Sequence, residues 1–527
     1  MIQMAWIDPF FARLLAENIL HEMEQPAGIA PAQNIRVQPE DWGRLAQQAQ
    51  LWGCRWVACW GDDVGDNIAL LAVFEKDAGY LLARTQVTKA SPVLPSHTRH
   101  YPAANRPERH LQDMFGVAFS DHPDSRHWTR HRAWKNNQYP LRKDFAVPGT
   151  PAAQTPPGDT YNFLFAQGAG VCEIPVGPVH AGIIEPGHFR FQAAGETVLN
   201  LEERLGYVHK GIEKIAEGRD AQGLARLAAR VSGDTTVAHT WAACMAMEKA
   251  AGLIIPERAI FLRALMTERE RVANHLGDIG AICNDVAFSF SFYQFGRLRE
   301  DWQRLSRDGF GHRFMMDRIV PGGVSVDLGA LAIEAMHAQG RIVRQELDRL
   351  VTIQNELPSL EDRLVSTGYL SPELATKLGC QGYVGRASGV DYDLRRDAPY
   401  APYDRLHVHA PCYKYGDVAA RVRVRVEEIR ESLEIIETLL NQLPDGELRN
   451  DWQTPAGSEG LGLVEGWRGE ILAYVRFGAD GRIARYYPRD PSWLNWPALE
   501  HLIHDNIVPD FPVCNKSVNG SYSGHDL

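Results

Sequence analysis

The sequence predicts an α+β protein, with a small N-terminal α+β domain followed by a mainly helical domain that carries small peripheral sheets. Its 527 residues exceed what one hydrophobic core usually organises. Hydrophobic residues make up 45% and charged residues 23%, which is typical of a chain that folds around a buried core. Strand-like runs dominate the first part of the chain, and helical periodicity dominates the rest.

Short apolar runs separated by polar turns indicate strands in the N-terminal region. They are CRWVACW at 54–60, IALLAVFE at 68–75 and GYLLARTQV at 79–87. The segment VPGTPAAQTPPGDT at 147–160 is too rich in proline and glycine for a core element. We therefore expect domains at 1–146 and 166–527, joined by a linker at 147–165.

The second domain is expected to begin with a hairpin, GHFRFQAAGETVLNLEERLG at 187–206, and to continue with long helices. Helical periodicity predicts helices over 213–230, 234–252 and 257–281. A further apolar stripe with charges on the other face predicts an amphipathic helix that serves in packing. Its members are Val418, Val422, Val426, Ile429, Leu433, Ile436 and Leu440.

Charge and motif content exclude several function classes. The net charge of −11 argues against a protein built to bind nucleic acid. The nucleotide-binding patterns G-x-G-x-x-G and G-x-x-x-x-G-K-[ST] are absent, as are G-x-S-x-G and H-E-x-x-H. The N-terminus has no basic leader, and no window approaches a spanning apolar segment. We therefore expect a cytoplasmic chain whose membrane association is indirect.

Cysteine and histidine spacing gives weak metal signals. No C-x-x-C occurs, and Cys54 and Cys59 fit buried small hydrophobes better than metal ligands. His127 and His131 have the spacing of a helical metal pair but lack a third ligand. A solvated basic face or a docking surface for another subunit explains these histidines better.

The loop GPVHAGIIEPGHFRF at 177–191 holds His180, Glu185 and His188 among glycines and prolines. Such ionisable groups on an approachable backbone suit proton transfer. From the residues alone, an exposed polar turn between strands is the better interpretation.

Longer motifs resemble one family. HLQDMFGVAFSDHPDSR at 110–126 and YPLRKDF at 139–145 resemble the thirty-kilodalton subunit of respiratory complex I and its hydrogenase-associated relatives. Other motifs resemble the large subunit of membrane-bound, energy-converting nickel–iron hydrogenases, which is homologous to the forty-nine-kilodalton subunit of complex I. These are the 177–191 loop, LGYVHKGIEK at 205–214, ERERVANHLGDIGAICNDVAF at 268–288, GRASGVDYDLRRDAPY at 385–400 and RGE at 468–470. The resemblance implies a fusion of the two subunits.

The resemblance also implies where a nickel–iron centre would lie. In the hydrogenases, two C-x-x-C motifs supply four thiolates to the metals. These motifs match RVSGDTTVAH at 230–239 and NGSYSGHDL at 519–527, so the ligand positions hold Ser232, Thr235, Ser521 and Gly524. Hydroxyls and a glycine cannot replace thiolates in such a centre, so we expect this chain to bind no metal and no other cofactor itself.

Further site residues follow from the resemblance. Glu185 matches a glutamate that passes protons toward the hydrogenase active site, with His180 and His188 in the same loop. Asp234 and His239 are expected beside the former ligand positions, although a helix-capping role suits Ser232 or Asp234 at least equally well. Lys210 matches a basic residue near the terminal iron–sulfur cluster of the partner small subunit.

The implied function is that of a subunit in a hydrogenase-like, complex I-like membrane oxidoreductase. Its partners would be an iron–sulfur small subunit, a ferredoxin-like cluster subunit and antiporter-like subunits of a membrane arm, on the cytoplasmic side of the cell membrane. Quinone is a candidate acceptor, although the quinone-binding tyrosine of complex I falls at Gly233. The alternative is a non-catalytic subunit that docks the small subunit onto the membrane arm. An open, polar cavity would favour the first function.

Overall fold

The N-terminal region is built on a five-stranded sheet. The computed structural model describes residues 6–24, 26–131, 133–149, 161–180 and 184–527. The strands of this sheet are β1 (His21–Glu24), β2 (Gln33–Val37), β3 (Arg55–Val64), β4 (Asn67–Lys76) and β5 (Gly79–Thr88). They lie in the order β1-β2-β5-β4-β3, in which the β2–β5 pair is parallel and the other pairs are antiparallel.

The three strands predicted from apolar runs are confirmed as β3, β4 and β5. Asp77 and Ala78 form the two-residue turn between β4 and β5, and both have positive φ, as a type I′ hairpin requires. The region also contains three helices and a short parallel strand pair. These are α1 (Ile7–Ala16), α2 (Trp42–Leu51), α3 (Asn105–Phe115), β6 (Val93–Pro95) and β7 (Ala118–Ser120).

The rest of the chain is mainly helical with small sheets, as predicted. Its strands are β8 (Val171–Val176), β9 (His188–Ala194), β10 (Thr197–Arg204), β11 (Ile319–Val320), β12 (Gly323–Val324), β13 (Glu459–Gly466), β14 (Gly469–Phe477) and β15 (Ile483–Arg489). Strands β9 and β10 confirm the predicted hairpin, and β8 adds an unpredicted third strand beside β9.

The helices of this region differ greatly in length. They are α4 (Ile212–Ile215), α5 (Ala221–Ala228), α6 (Thr236–Ala250), α7 (Glu257–Asp285), α8 (Ser289–Phe310), α9 (Ala330–Asn355), α10 (Pro358–Leu364), α11 (Pro372–Leu378), α12 (Gly382–Ala387), α13 (Leu394–Asp397), α14 (Val418–Asn441), α15 (Ser492–Leu502), α16 (Phe511–Val518) and α17 (Tyr522–Asp526). The predicted helices at 234–252 and 257–281 are confirmed as α6 and α7.

The single helix predicted over 213–230 is wrong. Gly218, three residues after the end of α4, adopts a φ of +76°, so the chain cannot continue as a helix there. Asp220 then caps α5, because its carboxylate accepts a hydrogen bond from the Gly223 N–H at 2.6 Å. The local breaker and cap outweigh the apolar periodicity of the segment.

The predicted amphipathic helix is confirmed as α14, but its charged face is not solvated throughout. Arg421, Arg425 and Glu428 are buried. The Glu428 carboxylate accepts a hydrogen bond from His275 Nε2 at 2.8 Å and also pairs with Arg386. The helix therefore buries charges as well as its apolar stripe. Arg425 and Glu428 form ion pairs with other helices, whereas Arg421 donates hydrogen bonds to neutral oxygens of Ser517, Gly416 and Gly368.

The N-terminal sheet packs directly on the helical region. Trp60 of β3 lies against Tyr474 and Tyr487, with ring centroids 5.1 and 5.0 Å apart. Arg84 pairs with Glu459 at 2.7 Å across the same interface. The two regions therefore share a core as well as a covalent connection.

The predicted linker at 147–165 lies partly outside the described residues, because 150–160 are not described. The proposed domain limits at 146 and 166 therefore stay predictions. Among the described residues, no helix has the length and apolar character needed to cross a membrane.

A buried charge network at the interface yields a stability prediction. Glu470 bonds Arg55 Nη2 at 2.9 Å and also pairs with Arg489. Glu470→Ala should lower the free energy of unfolding by about 3–5 kcal/mol, because it leaves Arg489 buried without a carboxylate partner and leaves Arg55 with Glu75 alone. Denaturant titration of the purified chain measures this loss.

The control is Glu257→Ala, which breaks an exposed pair with Arg405 and should cost about 1 kcal/mol or less. Burial opposes ionisation of Glu470, but its arginine partners lower its pKa to about 2. Its contribution should therefore be present above the ordinary value of 4.5 and be lost as pH falls toward 2. Equal losses in the two variants would contradict this assignment.

Candidate functional site

Two distant loop segments meet at the positions matched to the nickel ligands. Ser232 and Thr235 precede α6, whereas Ser521 and Gly524 lie at the start of α17. The Ser232 and Ser521 hydroxyl oxygens are 2.9 Å apart and share a hydrogen bond, although 289 positions separate them. The structure thus brings together residues that the family resemblance matched to nickel ligands.

A cavity of about 330 Å³ lies beside this junction. Four charged side chains line it, namely Glu185, Asp234, Arg468 and Lys516. Ile184 and Tyr522 add larger side chains to the lining. The remaining lining residues are small or polar, namely Ser232, Gly233, Asn519, Gly520, Ser521 and Ser523. The space is therefore open, and its walls can bind polar groups.

The Asp234–Arg468 ion pair is the strongest interaction in the cavity wall. Arg468 donates to both carboxylate oxygens of Asp234, at 2.9 and 2.7 Å, and its Nε donates to the Asn519 carbonyl at 2.7 Å. The hydroxyls of Ser232 and Thr235 donate to the same carboxylate, at 2.6 and 3.0 Å. Two of the positions matched to nickel ligands therefore hydrogen-bond an anion.

These donors keep Asp234 ionised. Burial opposes ionisation of the carboxyl group, but Arg468 and the two hydroxyls hold the pKa of Asp234 well below its usual range. The Arg468 guanidinium also lies 3.9 Å from the ring centroid of Trp467. The pair thus forms a fixed, charge-matched wall.

The fourth ligand position is blocked by Asp490. A Cβ built at Gly524 would lie 2.6 Å from Asp490 Oδ2 and 3.0 Å from the Ser521 hydroxyl. Asp490 is fully buried, and it accepts hydrogen bonds from His239 Nε2 and the Ser492 N–H, each at 2.8 Å. A cysteine at Gly524 would therefore displace a fixed carboxylate.

The four positions consequently do not fit a thiolate-held metal pair. They supply hydroxyls that already bond one another and Asp234, and a glycine with no room for a side chain. Among the described residues, no group of three or more His, Cys, Asp or Glu side chains is placed to hold a metal ion.

Glu185 lies at the edge of the cavity, and Lys210 lies close behind it. The Glu185 carboxylate accepts a hydrogen bond from the Ser523 N–H at 3.1 Å. Lys210 Nζ contacts the carbonyls of Val231 and Ser523, at 3.2 and 3.4 Å. Burial lowers the pKa of Lys210 below its usual value, and the Glu185 and Asp526 carboxylates offset this only in part. One backbone segment thus connects the candidate proton carrier to the candidate cluster-facing lysine.

The two loop histidines hold their own loop. His180 Nε2 lies 2.7 Å from the Gly187 carbonyl, and His188 Nδ1 lies 3.2 Å from the Gly177 carbonyl. Neither is among the residues that line the cavity. Residues 181–183, in the centre of the loop, lie outside the described part of the chain.

His239 is also set back from the cavity. It lies on α6, is fully buried, and acts through its bond to Asp490. The expected docking histidines have partners as well, since His131 Nε2 lies 2.7 Å from the Leu205 carbonyl and His127 pairs with Asp113. Both bonds hold the segment that follows α3.

Sequence reasoning did not assign Arg468 or Asp490 to the site. Arg468 belongs to the RGE motif at 468–470, so the motif was an available signal. Asp490 follows β15 and has no local pattern that indicates its contact with His239. Such a contact between distant segments depends on the packing of the whole region.

The fold and the site together define a class of protein. An α+β region packs on a helical region in which two remote loop segments enclose a charged cavity, as expected for large subunits of hydrogenase and complex I type. Three family models match the chain. They are the 30 Kd subunit of respiratory-chain NADH dehydrogenase over 35–151, nickel-dependent hydrogenase over 210–277 and the 49 Kd subunit of respiratory-chain NADH dehydrogenase over 285–454.

Individual relatives cover most of the chain. Formate hydrogenlyase subunit 5 of Escherichia coli strain K12 is 33% identical over 450 residues, which are 85% of this chain and 79% of the relative. The NADH-quinone oxidoreductase C/D component of Phocaeicola vulgatus is 30% identical over 420 residues, which are 76% of this chain and 80% of the relative. The chain therefore belongs to the family of membrane-bound hydrogenase large subunits and the fused subunits of complex I.

A solved structure supports the same assignment. The membrane-bound sulfane sulfur reductase, an archaeal respiratory membrane complex, contains a polypeptide that matches this one with a TM-score of 0.65 and 27% identity. The match covers 69% of this chain and 100% of the other. The fold is thus that of a subunit found in a respiratory membrane complex.

The blocked fourth position yields a prediction. Gly524→Ala should lower the free energy of unfolding by about 1–3 kcal/mol, because the new Cβ overpacks against Asp490. The control is Gly296→Ala on the exposed face of α8, where a Cβ meets no described atom within 4 Å. That control should stabilise the chain by about 0.5–1 kcal/mol. Denaturant unfolding measures both, and a fully stable Gly524→Ala variant would show that the position has room for a ligand.

Proposed function

We propose that the chain is the large, fused subunit of a hydrogenase-like, complex I-like membrane oxidoreductase that lacks a nickel–iron centre. It couples electron transfer from the cluster of an iron–sulfur small subunit to ion translocation by a membrane arm. A ferredoxin-like cluster subunit and antiporter-like subunits make up the rest of the complex, and the chain is peripheral on the cytoplasmic side of the membrane. Relatives in hydrogenase, complex I and sulfane sulfur reductase complexes support this placement.

One observation carries the proposal: the former metal position is an open, charged cavity. A subunit with only a docking role has no need to keep about 330 Å³ of space lined by Glu185, Asp234, Arg468 and Lys516. Buried charges are costly, so a collapsed, apolar filling would be the more stable alternative. The retained space and charges favour a redox function over the docking-only alternative.

Space for an acceptor exists beside the loop that precedes α6. A Cβ built at Gly233 would meet no described atom within 4 Å, and Gly233 lines the cavity. In the resemblance, this is the position of the quinone-binding tyrosine of complex I. A quinone headgroup is therefore a candidate acceptor, held by Arg468 and Lys516 rather than by a tyrosine.

Electrons would enter from the side of Lys210. Its ammonium group lies behind Ser523, on the segment that borders the cavity. A cation near a partner's iron–sulfur cluster stabilises the reduced cluster and so raises its potential. Glu185, bonded to the same segment, is placed to exchange the protons that accompany reduction.

The test uses the purified complex and a soluble quinone analogue. Glu185→Gln should lower quinone-dependent turnover by about 10- to 100-fold, because the amide cannot carry a proton. Glu196→Gln, at an exposed hairpin turn between β9 and β10, is the matched control and should retain full turnover. Steady-state assays across pH measure both variants.

Absence of turnover in the wild-type complex, with several donors and acceptors, would instead support the docking-only subunit. Wild-type turnover that Glu185→Gln leaves unchanged would keep the redox function and remove Glu185 from the proton route.

A further inference from the structure

A second cavity shares Gly233 and Asp234 with the first. Its volume is about 270 Å³, and α7, α8 and residues 311–316 form its other walls. Ala273, Phe314 and Met316 give it apolar surface. Apart from Gly233 and Asp234, its lining residues do not line the first cavity.

Arg269 brings to this cavity a cation without a carboxylate partner, although its guanidinium group lies 4.1 Å from the ring centroid of Trp302. It is fully buried, yet among the described residues no carboxylate forms an ion pair with it. Its Nε and Nη2 donate to neutral oxygens of Ser306, Trp302 and Gln339, at 3.0, 2.9 and 3.1 Å. Its Nη1 is buried without a hydrogen-bond partner in the described part of the chain, and burial lowers the pKa of Arg269 to about 9.

Arg299 adds a second unpaired cation. It lines the same cavity, and within the described ranges its buried Nε has no hydrogen-bond partner and no ion pair involves it. Arg313, at the edge, differs because Glu300 and Gln303 already accept its hydrogen bonds. Two of the three guanidinium groups on this cavity therefore lack a counter-charge from any described residue.

The carboxyl groups on the cavity do not supply that counter-charge. Asp234 is neutralised by Arg468. Glu270 is 6% exposed, forms no ion pair with another described residue, and accepts hydrogen bonds from the Val237 N–H. Burial raises the pKa of Glu270 well above its usual range, although the hydrogen bond from the Val237 N–H opposes this effect. Among the described residues, neither carboxyl group therefore forms an ion pair with Arg269 or Arg299.

From this geometry we infer that the second cavity is a binding site for a small organic carboxylate with an apolar body of a few carbons. Arg269 and Arg299 supply the positive charge and the donors that a carboxylate needs. Phe314 and Met316 supply the surface that would cover the carbon chain. The assignment goes beyond the proposed redox function and does not depend on it.

Butyrate and its neutral amide, butyramide, are the probes, used with the purified complex. Butyrate should bind at least about tenfold more tightly than butyramide by calorimetry and should raise the Tm, because only the anion neutralises the cavity. Arg269→Gln and Arg299→Gln should each weaken butyrate binding by about tenfold or more. Arg307→Gln, which breaks an exposed pair with Asp308 on α8, is the control and should leave binding unchanged.

Arg269→Lys keeps the charge and should bind butyrate more tightly than Arg269→Gln, which separates loss of charge from misfolding. The inference is overturned if butyrate binds no better than butyramide. It is equally overturned if both glutamine variants, with wild-type unfolding profiles, retain wild-type affinity. Both outcomes are measured as binding rather than turnover. A negative result here therefore leaves the proposed redox function untouched, and a negative turnover result leaves the binding site untouched.

Discussion

The bidentate ion pair between Asp234 and Arg468 is the interaction on which the candidate site depends. It joins the segment before α6 to the turn between β13 and β14, and Arg468 extends the connection to Asn519 before α17. The hydroxyls of Ser232 and Thr235 orient toward the same carboxylate. Because buried charges are stable only when paired, the loss of either partner would release all three segments.

The same constraint extends through the helical region, where buried acids are held by arginines from other helices. Glu428 of α14 pairs with Arg386 of α12, and Glu268 of α7 pairs with Arg395 of α13. These pairs hold the short helices α12 and α13 against the long helices α14 and α7, so the helical region is held together by charge as well as by apolar packing. Arg421 is buried without an ion pair, but neutral oxygens accept its hydrogen bonds. Arg269 and Arg299 of the second cavity differ because each has a buried nitrogen without a partner among the described residues, which is why they point to a ligand.

Much of the architecture was predictable from local patterns. Alternating apolar runs identified β3 to β5, and helical periodicity identified α6, α7 and α14. The failures have physical causes: Gly218 and Asp220 divide one expected helix, and burial of Glu428 reflects partners remote in sequence. The family resemblance located Ser232 and Ser521, but the obstruction of Gly524 by Asp490 is set by tertiary packing. The same holds for both cavities, which no local pattern encodes.

We propose that charged and hydroxyl side chains stand in place of a nickel–iron centre at the meeting point of the two loop segments. Elemental analysis of the purified complex tests it most directly, with nickel measured per copy of this chain and iron counted against the clusters of the partner subunits. The account predicts no stoichiometric nickel in a complex that retains its electron-transfer activity. One nickel per chain, lost when Ser232 and Ser521 are both replaced by alanine, would contradict it.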